Sequence, residues 1–213
     1  MKERPILFSG PMVRAILEGR KTQTRRVMKR QPSIVHYERG GVPPNVKTSF
    51  ACWDNVQGEK YYLSCPYGVP GDRLWVRESM FGKLESSNFY YSADRKGVGN
   101  DIYFKLVKHG WKLKKSIPSI HMPRWASRLT LEIESVRVER LQDISEEDAR
   151  AEGARFLAPE LDEPLESGGK LCGASYRYGF ECLWESINGK GSWNLNPWVW
   201  VINFERASEE CGE

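Results

Sequence analysis

ILFSGPMVRAILEGRKTQTRRV, residues 6–27, contains a short apolar run, one predicted helix and a basic segment in immediate succession. Pro11 suits the first helical position, where its missing N–H costs no hydrogen bond. Gly19 is expected to end the helix in the left-handed conformation, so residues 20–26 should leave it as an extended basic segment. The apolar residues on one face of this helix are Met12, Val13, Ile16 and Leu17.

The whole chain has the composition of a globular protein. Of its 213 residues, 40% are hydrophobic and 28% are charged, and no apolar run approaches the roughly 20 residues of a membrane span. Residues 1–4 lack the apolar region of a signal peptide. We therefore expect a cytoplasmic protein without a membrane partner, folded as a single domain over residues 1–213 with insertions at about 28–66 and 82–118.

The cysteine, histidine and charge content limits the classes of function. Five cysteines show no C-x-x-C spacing, which favours reduced thiols over a disulfide framework. Three distant histidines lack the spacing of zinc ligands, and no phosphate-loop or dinucleotide motif is present. Neither a metal nor an organic cofactor is therefore expected. The net charge of +4 permits a polyanionic partner without requiring one.

Two alternating segments predict strands. The tight turn VPGD precedes a strand in which Leu74 and Val76 alternate with polar or aromatic neighbours. Between residues 127 and 141 the apolar residues lie first on odd and then on even positions, and the change falls near Glu134 and Ser135. A strand that changes its inward face predicts a β-bulge or a corner, as in a sheet that curls into a barrel.

Two further helices and a last strand complete the pattern. Ser145 with Asp148 forms a capping-box pattern, and Gly153 should close that helix. A third helix is predicted over Tyr176–Asn188, followed by a central strand, apolar on both faces, at residues 196–205. Without a repeated βαβ rhythm, these elements predict an α+β fold with a small curled sheet. The apolar face of the third helix comprises Phe180, Leu183, Trp184 and Ile187.

The remaining segments carry weaker patterns. Residues 28–66 are rich in proline and glycine and predict an irregular insertion. Within the second insertion, one short strand is predicted at residues 102–106. Residues 157–173 predict a loop rich in proline, glycine and glutamate.

Lys21 and Thr24 form the first candidate for chemistry. A threonine hydroxyl becomes a nucleophile when a base takes its proton, and a lysine can be that base if burial or neighbouring cations lower its pKa. In a regular strand, however, positions 21 and 24 point to opposite faces, so a shared site needs a bend between them. The alternative is a solvated basic strand without catalytic function.

Binding of a polyanion is a second use of the same segment, because Arg25 and Arg26 can neutralise phosphates and bond them in a bidentate manner. Aromatic side chains beside cations can also stack on bases. The alternative is ordinary packing of the aromatic residues with solvated cations. Further candidates for this binding surface are Arg77, Arg124, Trp125 and Arg128.

Two carboxylates and one histidine complete the candidate site. Glu78 ends the predicted strand after the VPGD turn, and Glu152 lies at the end of a predicted helix, where a negative charge opposes the helix dipole. Such a local conflict is weak evidence for a functional reason. His121 lies beside a strand entry and either lines a pocket or is an ordinary half-buried histidine.

Five motifs, in this order, resemble the ASCH domain and in particular its phage-type members. They are ILEGRKTQTRR, PGDRLWVRE, ISEEDARAEG, FECLWESING and NPWVWVINF, and together they span nearly the whole chain. The resemblance implies a small PUA-like β-barrel with flanking helices and a cleft for RNA or a nucleoside. The first and last motifs are the most specific parts of the likeness.

The resemblance also implies an activity. Small bacterial members of this family resemble amidohydrolases of N4-acetylcytidine, which use a lysine and a threonine of a GRKTxT motif and a glutamate from the helix after the long strand. These roles fall on Lys21, Thr24 and Glu152. Other members are RNA binders or ribonucleases, so two hypotheses follow. The chain is either an amidohydrolase acting on a modified nucleoside or RNA, or an RNA-binding or ribonucleolytic module without that activity.

Overall fold

The structure, a computed structural model, describes residues 1–36, 49–53, 60–83, 88–111, 116–158 and 174–207. The α-helices are α1 (Gly10–Leu17), α2 (Asn100–Lys108), α3 (Glu146–Ala151) and α4 (Tyr176–Asn188). The strands are β1 (Glu3–Leu7), β2 (Gln23–Val27), β3 (Ile34–His36), β4 (Ser49–Trp53), β5 (Lys60–Ser64), β6 (Arg73–Arg77), β7 (Met80–Lys83), β8 (Asn88–Tyr91), β9 (Thr130–Arg140) and β10 (Trp198–Arg206).

The largest sheet contains five strands in the order β1-β6-β9-β10-β2. β1 runs parallel to β6, whereas β9 is antiparallel to β6 and β2 is antiparallel to β10. Separate antiparallel pairings join β3, β4 and β5, and β7 pairs with β8 in an antiparallel manner. The fold is thus α+β, and its mixed sheet does not close into a barrel among the described strands. No helix of these described ranges is long and apolar enough to cross a membrane.

The chain divides into two compact units, each assembled from separated segments. The first comprises residues 1–19, 66–134 and 204–213. Leu74 and Val76 on β6 are buried there, as are Val13 and Ile16 on α1. A cluster of buried side chains stabilises the rest of this unit and consists of Met80, Phe89, Tyr91, Val98, Leu106, Ile117, Met122 and Ala126.

The second unit comprises residues 20–65 and 135–203. Its β2–β10 ladder has two different faces, because successive side chains of a strand alternate. Val199 and Val201 lie on the face that packs against α3 and α4, whereas Trp200 and Ile202 lie on the opposite face. The core of the helix-covered face comprises Leu141, Ile144, Ala149, Ala154, Phe180, Trp184, Trp193, Val199 and Val201.

Most of the regular elements were predicted correctly. α1 has proline in its first turn, and Gly19 follows it with a φ of 72°. α4 has the predicted bounds. On β9 the buried side chains change from odd positions, Leu131 and Ile133, to the even position Val138, which confirms the change of inward face. The predicted single domain, with its two insertions, stays a prediction.

Three details of the sequence reading are wrong. Residues 28–66 are not irregular throughout, because β3, β4 and β5 lie within them. Residues 102–106 lie in helix α2, where Ile102 packs on the core around the buried Leu106 one turn later. Ile187 is 53% exposed, so the core face of α4 is narrower than predicted. Of the loop predicted at 157–173, residues 159–173 lie outside the described ranges.

Candidate active site around Lys21 and Glu152

The end of α3 lies against the start of β2 in the second unit. The Thr22 amide donates to the Ala151 carbonyl at 2.9 Å, and Lys21 and Glu152 form an antiparallel bridge. The Ser145 hydroxyl caps α3 by accepting from the Asp148 amide at 3.0 Å. Gly153, with a φ of 79°, then turns the chain away. This local geometry places Glu152 beside the GRKTQT segment.

Lys21 is 2% exposed, and its ammonium is fully hydrogen-bonded. Nζ donates to Glu152 Oε2 at 2.7 Å, to the Glu152 carbonyl at 2.9 Å and to the Gln23 carbonyl at 2.7 Å. These acceptors match the three N–H groups of an ammonium. Glu152 is 3% exposed, so the two residues form an ion pair that is shielded from water.

The environment lowers the pKa of Lys21. Burial is the largest cause because it penalises the charged ammonium, and the positive charges of Arg26 and Arg25 act in the same direction. Glu152 opposes this effect through its charge and its hydrogen bond. The net direction favours a lysine that can lose its proton more readily than a lysine in water.

Arg25 joins this pair to a wider polar network. Its Nη1 donates to Glu152 Oε1 at 3.3 Å and also to the Gln23 side-chain oxygen. Its Nη2 donates to Glu139 Oε2 and to Asp148 Oδ2, each at 3.0 Å. The guanidinium also lies 5.9 Å from the centre of the Phe180 ring. Arg25 is therefore enclosed on several sides.

The outer part of the network is partly exposed. Arg137 donates to Asp148 Oδ2 at 2.7 Å and also contacts Glu139 and Asn203. Gln23 links Asp148 to Asn203 through its amide group. The pKa of Asp148 is lowered: burial acts against this change, but hydrogen bonds from Gln23 and the charges of Arg137 and Arg25 outweigh it. The network thus contains three cations and three carboxylates, namely Lys21, Arg25 and Arg137 with Glu152, Asp148 and Glu139.

Thr24 is also buried, at 2% exposure, but its side chain starts from the other face of β2. Gln23 and Arg25 point to the face covered by α3 and α4, so alternation directs Thr24 to the face of its cross-strand partner Ile202. The predicted opposition of positions 21 and 24 is therefore present. Arg26 lies on the same face as Thr24, opposite Trp200 in register.

A second polar cluster lies in the first unit, around Glu78. Arg128 donates through Nε and Nη2 to the two oxygens of Glu78 at 2.8 and 3.0 Å, and through Nη1 and Nη2 to Asp94 at the same distances. Glu78 is 2% exposed, and burial raises the pKa of its carboxyl although the Arg128 hydrogen bonds oppose this. The Tyr91 ring lies 4.0 Å from the guanidinium, and burial raises the pKa of its hydroxyl to about 12.

The other predicted binding residues of the first unit are engaged in contacts of their own. Arg124 forms a bidentate pair with Glu3 at 2.8 and 3.0 Å. Arg77 donates to the Ile120 carbonyl and packs on Trp75. Trp125 stacks on His109 with a centroid distance of 5.6 Å, whereas His121 is exposed beside Trp111.

Sequence reasoning missed most of the network around Lys21. It noted Asp148 only as a capping residue, and it did not identify Glu139, Arg137 or Asn203. A signal was present, since Gln23 and Arg25 share one strand face, as do Arg137 and Glu139. Among the described residues, no group of three histidine, cysteine, aspartate or glutamate side chains could hold a metal ion.

Comparisons with protein-family models, with curated protein sequences and with solved structures give no match for this chain.

Proposed function

We propose that the chain is an ASCH-type amidohydrolase that removes an acyl group from the exocyclic nitrogen of an N4-acylated cytidine, either free or in RNA. The observation that carries the proposal is the buried ion pair of Lys21 and Glu152, which are 131 residues apart in sequence and 2.7 Å apart in space. Both residues are also candidates from their sequence motifs. The PUA-like relationship belongs to the same proposal and rests on the motifs, because the observed sheet is open.

The proposed reaction has two steps. In the fraction of molecules in which Lys21 has lost its ammonium proton, Thr24 Oγ1 attacks the carbonyl carbon of the acyl amide while the neutral amine takes the hydroxyl proton. The C–N bond then breaks, the acyl group stays on Thr24 as an ester, and the cytidine amine leaves with the proton from Lys21. Water hydrolyses the ester, releases the carboxylic acid and restores Thr24. Glu152 orients Lys21 throughout, in the role of the third group of a triad.

Two features of Lys21 support its role as the base. Its lowered pKa increases the fraction that is neutral and able to accept a proton. Its Nζ also donates to the carbonyl oxygen of Gln23, which belongs to the peptide bond between Gln23 and Thr24. The amine therefore lies beside the peptide group of Thr24, but the Thr24 side chain starts from the opposite face of β2. The proposed reaction thus requires the segment between residues 21 and 24 to rearrange until the hydroxyl faces Nζ.

Burial of Lys21 and Thr24 restricts the acyl group. Each residue is 2% exposed, so neighbouring side chains must give way before a substrate reaches the hydroxyl. Closely packed side chains accommodate a small group at lower cost than a large one. We expect an N4-acetyl group to be removed faster than an N4-benzoyl group.

The experiment is to incubate the purified protein with N4-acetylcytidine and to follow cytidine release by chromatography. Thr24→Val removes the hydroxyl at nearly constant shape, and Thr24→Ser is its matched control because it keeps the hydroxyl. We expect release by the wild type, a reduced but measurable rate for Thr24→Ser, and no release above background for Thr24→Val. Glu152→Gln should lower the rate by about 10²-fold or more because it weakens the contact that orients Lys21, although the loss of the negative charge lowers the pKa of Lys21 further.

Two outcomes would contradict the proposal. If folded wild-type protein released no cytidine from the nucleoside and did not deacetylate RNA, the proposed amidohydrolase activity would be ruled out. Equal rates for Thr24→Val and the wild type would rule out Thr24 as the nucleophile.

A further inference from the structure

The Arg25 guanidinium is the second cation in contact with Glu152, and its side chain is completely shielded from water. We propose that Arg25 is a positioning residue that holds the Glu152 carboxylate against the Lys21 ammonium, and that it does not contact the substrate. The effect on catalysis rests on the proposed function, whereas the effect on the ion pair does not.

The two cations bind different oxygens of the same carboxylate. Lys21 Nζ lies 2.7 Å from Oε2, and Arg25 Nη1 lies 3.3 Å from Oε1. A carboxylate fixed at both oxygens cannot rotate without breaking one of these contacts. Since Glu152 follows the last residue of α3, the backbone alone leaves its side chain several rotamers. Arg25 therefore supplies the constraint that selects one of them.

Arg25 can do this because its own position is fixed from the opposite side. Nη2 is held by Glu139 and Asp148 at 3.0 Å each, and Nη1 is held by the Gln23 side chain. Glu139 and Asp148 are 23% and 24% exposed in their side chains. The guanidinium thus links two carboxylates near the surface to one buried carboxylate. Both of its Nη groups donate to protein acceptors and its side chain is completely shielded from water, which leaves it poorly placed to bind phosphate.

Arg137 provides a matched control. It contacts the same two outer carboxylates, Asp148 and Glu139, and it carries the same charge. None of its described contacts is with Glu152 or Lys21. Replacing Arg137 therefore perturbs the outer network and removes one positive charge, but leaves both contacts of the Glu152 carboxylate in place.

The test compares Arg25→Gln, Arg25→Lys and Arg137→Gln by two measurements. The first is the hydrogen-exchange rate of the Lys21 ammonium in ¹⁵N-lysine-labelled protein, assigned by the signal that is lost in Lys21→Met. We expect exchange at least about 10-fold faster in Arg25→Gln, unchanged exchange in Arg137→Gln and an intermediate rate in Arg25→Lys, since opening of a buried contact controls exchange.

The second measurement is the steady-state kinetics with N4-acetylcytidine. We expect Arg25→Gln to lower kcat by about 10²-fold with KM within about twofold of the wild type, because a small misplacement of a catalytic group has an effect of that order. Arg137→Gln should keep kcat within a few-fold of the wild type, and Arg25→Lys should restore part of the loss.

Each outcome decides the inference. Equal ammonium exchange in Arg25→Gln and Arg137→Gln would overturn the positioning role, and a raised KM with unchanged kcat would show that Arg25 binds substrate instead. If the wild type is inactive, the proposed function fails, but ammonium exchange still decides whether Arg25 holds the ion pair. If Arg25→Gln does not fold, the comparison of Arg25→Lys with Arg137→Gln decides it.

Discussion

Lys21 and Glu152 illustrate the energetics of one buried ion pair. Removing both charges from water costs several kcal/mol per ion, and only close geometry with further hydrogen bonds offsets this cost. The ammonium has such geometry, since its three acceptors lie at 2.7–2.9 Å. A site of this kind contributes little net stability as a pair, but the loss of one partner leaves the other charge buried without its closest counter-ion.

This argument predicts the result of a double-mutant cycle on the ion pair. Lys21→Met and Glu152→Leu should each lower the free energy of unfolding by about 3–5 kcal/mol, and the double variant should lower it by clearly less than their sum. Urea unfolding followed by circular dichroism measures all four proteins. Strict additivity would show that the two charges do not depend on each other.

The candidate site also shows which of its residues could be identified from the sequence alone. Lys21, Thr24 and Glu152 were selected from motifs, and the first and last of them are in contact. The polar residues around them could not be selected, because Glu139 and Asn203 join the network only through the pairing of distant strands and the packing of α3. Glu152 gave the clearest local signal, since a carboxylate at a helix end conflicts with the helix dipole.

Among the elements, α4 approaches its neighbour very closely at Gly179. A Cβ at this position would overlap the carbonyl oxygen of Arg155, which belongs to the backbone and cannot rotate away. Helix propensity alone would favour alanine by about 1 kcal/mol. The packing of α4 therefore requires the absence of a side chain at this position.

We predict that Gly179→Ala lowers the free energy of unfolding by about 1–3 kcal/mol because overpacking outweighs the gain in propensity. Cys182→Ala, at an exposed position of the same helix, should change stability by less than about 0.5 kcal/mol. Thermal and urea unfolding of both variants provide the test. A Gly179→Ala protein more stable than the wild type would contradict the close approach.

A second prediction at this scale concerns Asp72, which lies in the turn before β6. Its carboxylate accepts from the Lys2 amide at 2.8 Å and from Arg4 at 2.7 Å, and thereby ties β1 to the turn. Burial would raise the pKa of Asp72, but the hydrogen bonds from Arg4, Lys2 and Val69 outweigh it and lower the pKa. Because the folded value lies below the unfolded value of about 3.9, the contribution of Asp72 is present above that pH and is lost as the pH falls below it.

Asp72→Asn should accordingly lower the free energy of unfolding by about 1–3 kcal/mol at pH 7, where charge-assisted hydrogen bonds are lost. The difference from the wild type should shrink as the pH falls below about 4. Urea unfolding between pH 3 and pH 7 measures it, with Asp101→Asn on α2 as the control. A difference that stays constant over this range would show that the charge of Asp72 does not contribute.

The elements were predictable where the local pattern was long and regular. The bounds of α4 follow from its 3.6-residue period, and β10 follows from its apolar run. The strand prediction at residues 102–106 is wrong because a short run that is apolar at most positions fits either period. In the helix Leu106 is buried in the core of the first unit, whereas Phe104 and Val107 are exposed.

At the scale of the whole molecule, the distribution of charge separates the two functions. The net charge is only +4, and Arg25, Arg124 and Arg128 are each paired with carboxylates. Neutralised arginines release few counterions from a nucleic acid. We therefore expect these three arginines to contribute little to phosphate binding.

We therefore predict a weak dependence on salt. Between about 50 and 200 mM salt, kcat/KM for N4-acetylcytidine should change by less than about twofold, whereas a protein with 6–10 phosphate contacts would lose roughly 10³–10⁵ in affinity. The measurement is a salt titration of the nucleoside reaction beside one of RNA binding. Tight RNA binding with a steep salt slope, and no nucleoside reaction, would support the RNA-binding module.

The overall α+β class was predictable, but the arrangement of the sheet was not. Local alternation identifies strands such as β6 and β9 without specifying their partners. The parity change in β9 predicts a β-bulge or a corner, as in a sheet that curls into a barrel, whereas the described strands form an open mixed sheet. Strand order depends on contacts between distant segments, such as β1 with β6 and β2 with β10, for which a single sequence has no local signal.

The most direct test of the proposed reaction is to search for the acyl-enzyme on Thr24. Wild-type protein mixed with excess N4-acetylcytidine would be quenched in acid within the first turnover, digested and mapped by mass spectrometry. We predict an acetyl group on the peptide that contains Thr24, which is absent in Thr24→Val and decays as acetate is released. Cytidine release without any acetylated Thr24 peptide, in protein quenched before one turnover, would contradict the nucleophilic mechanism.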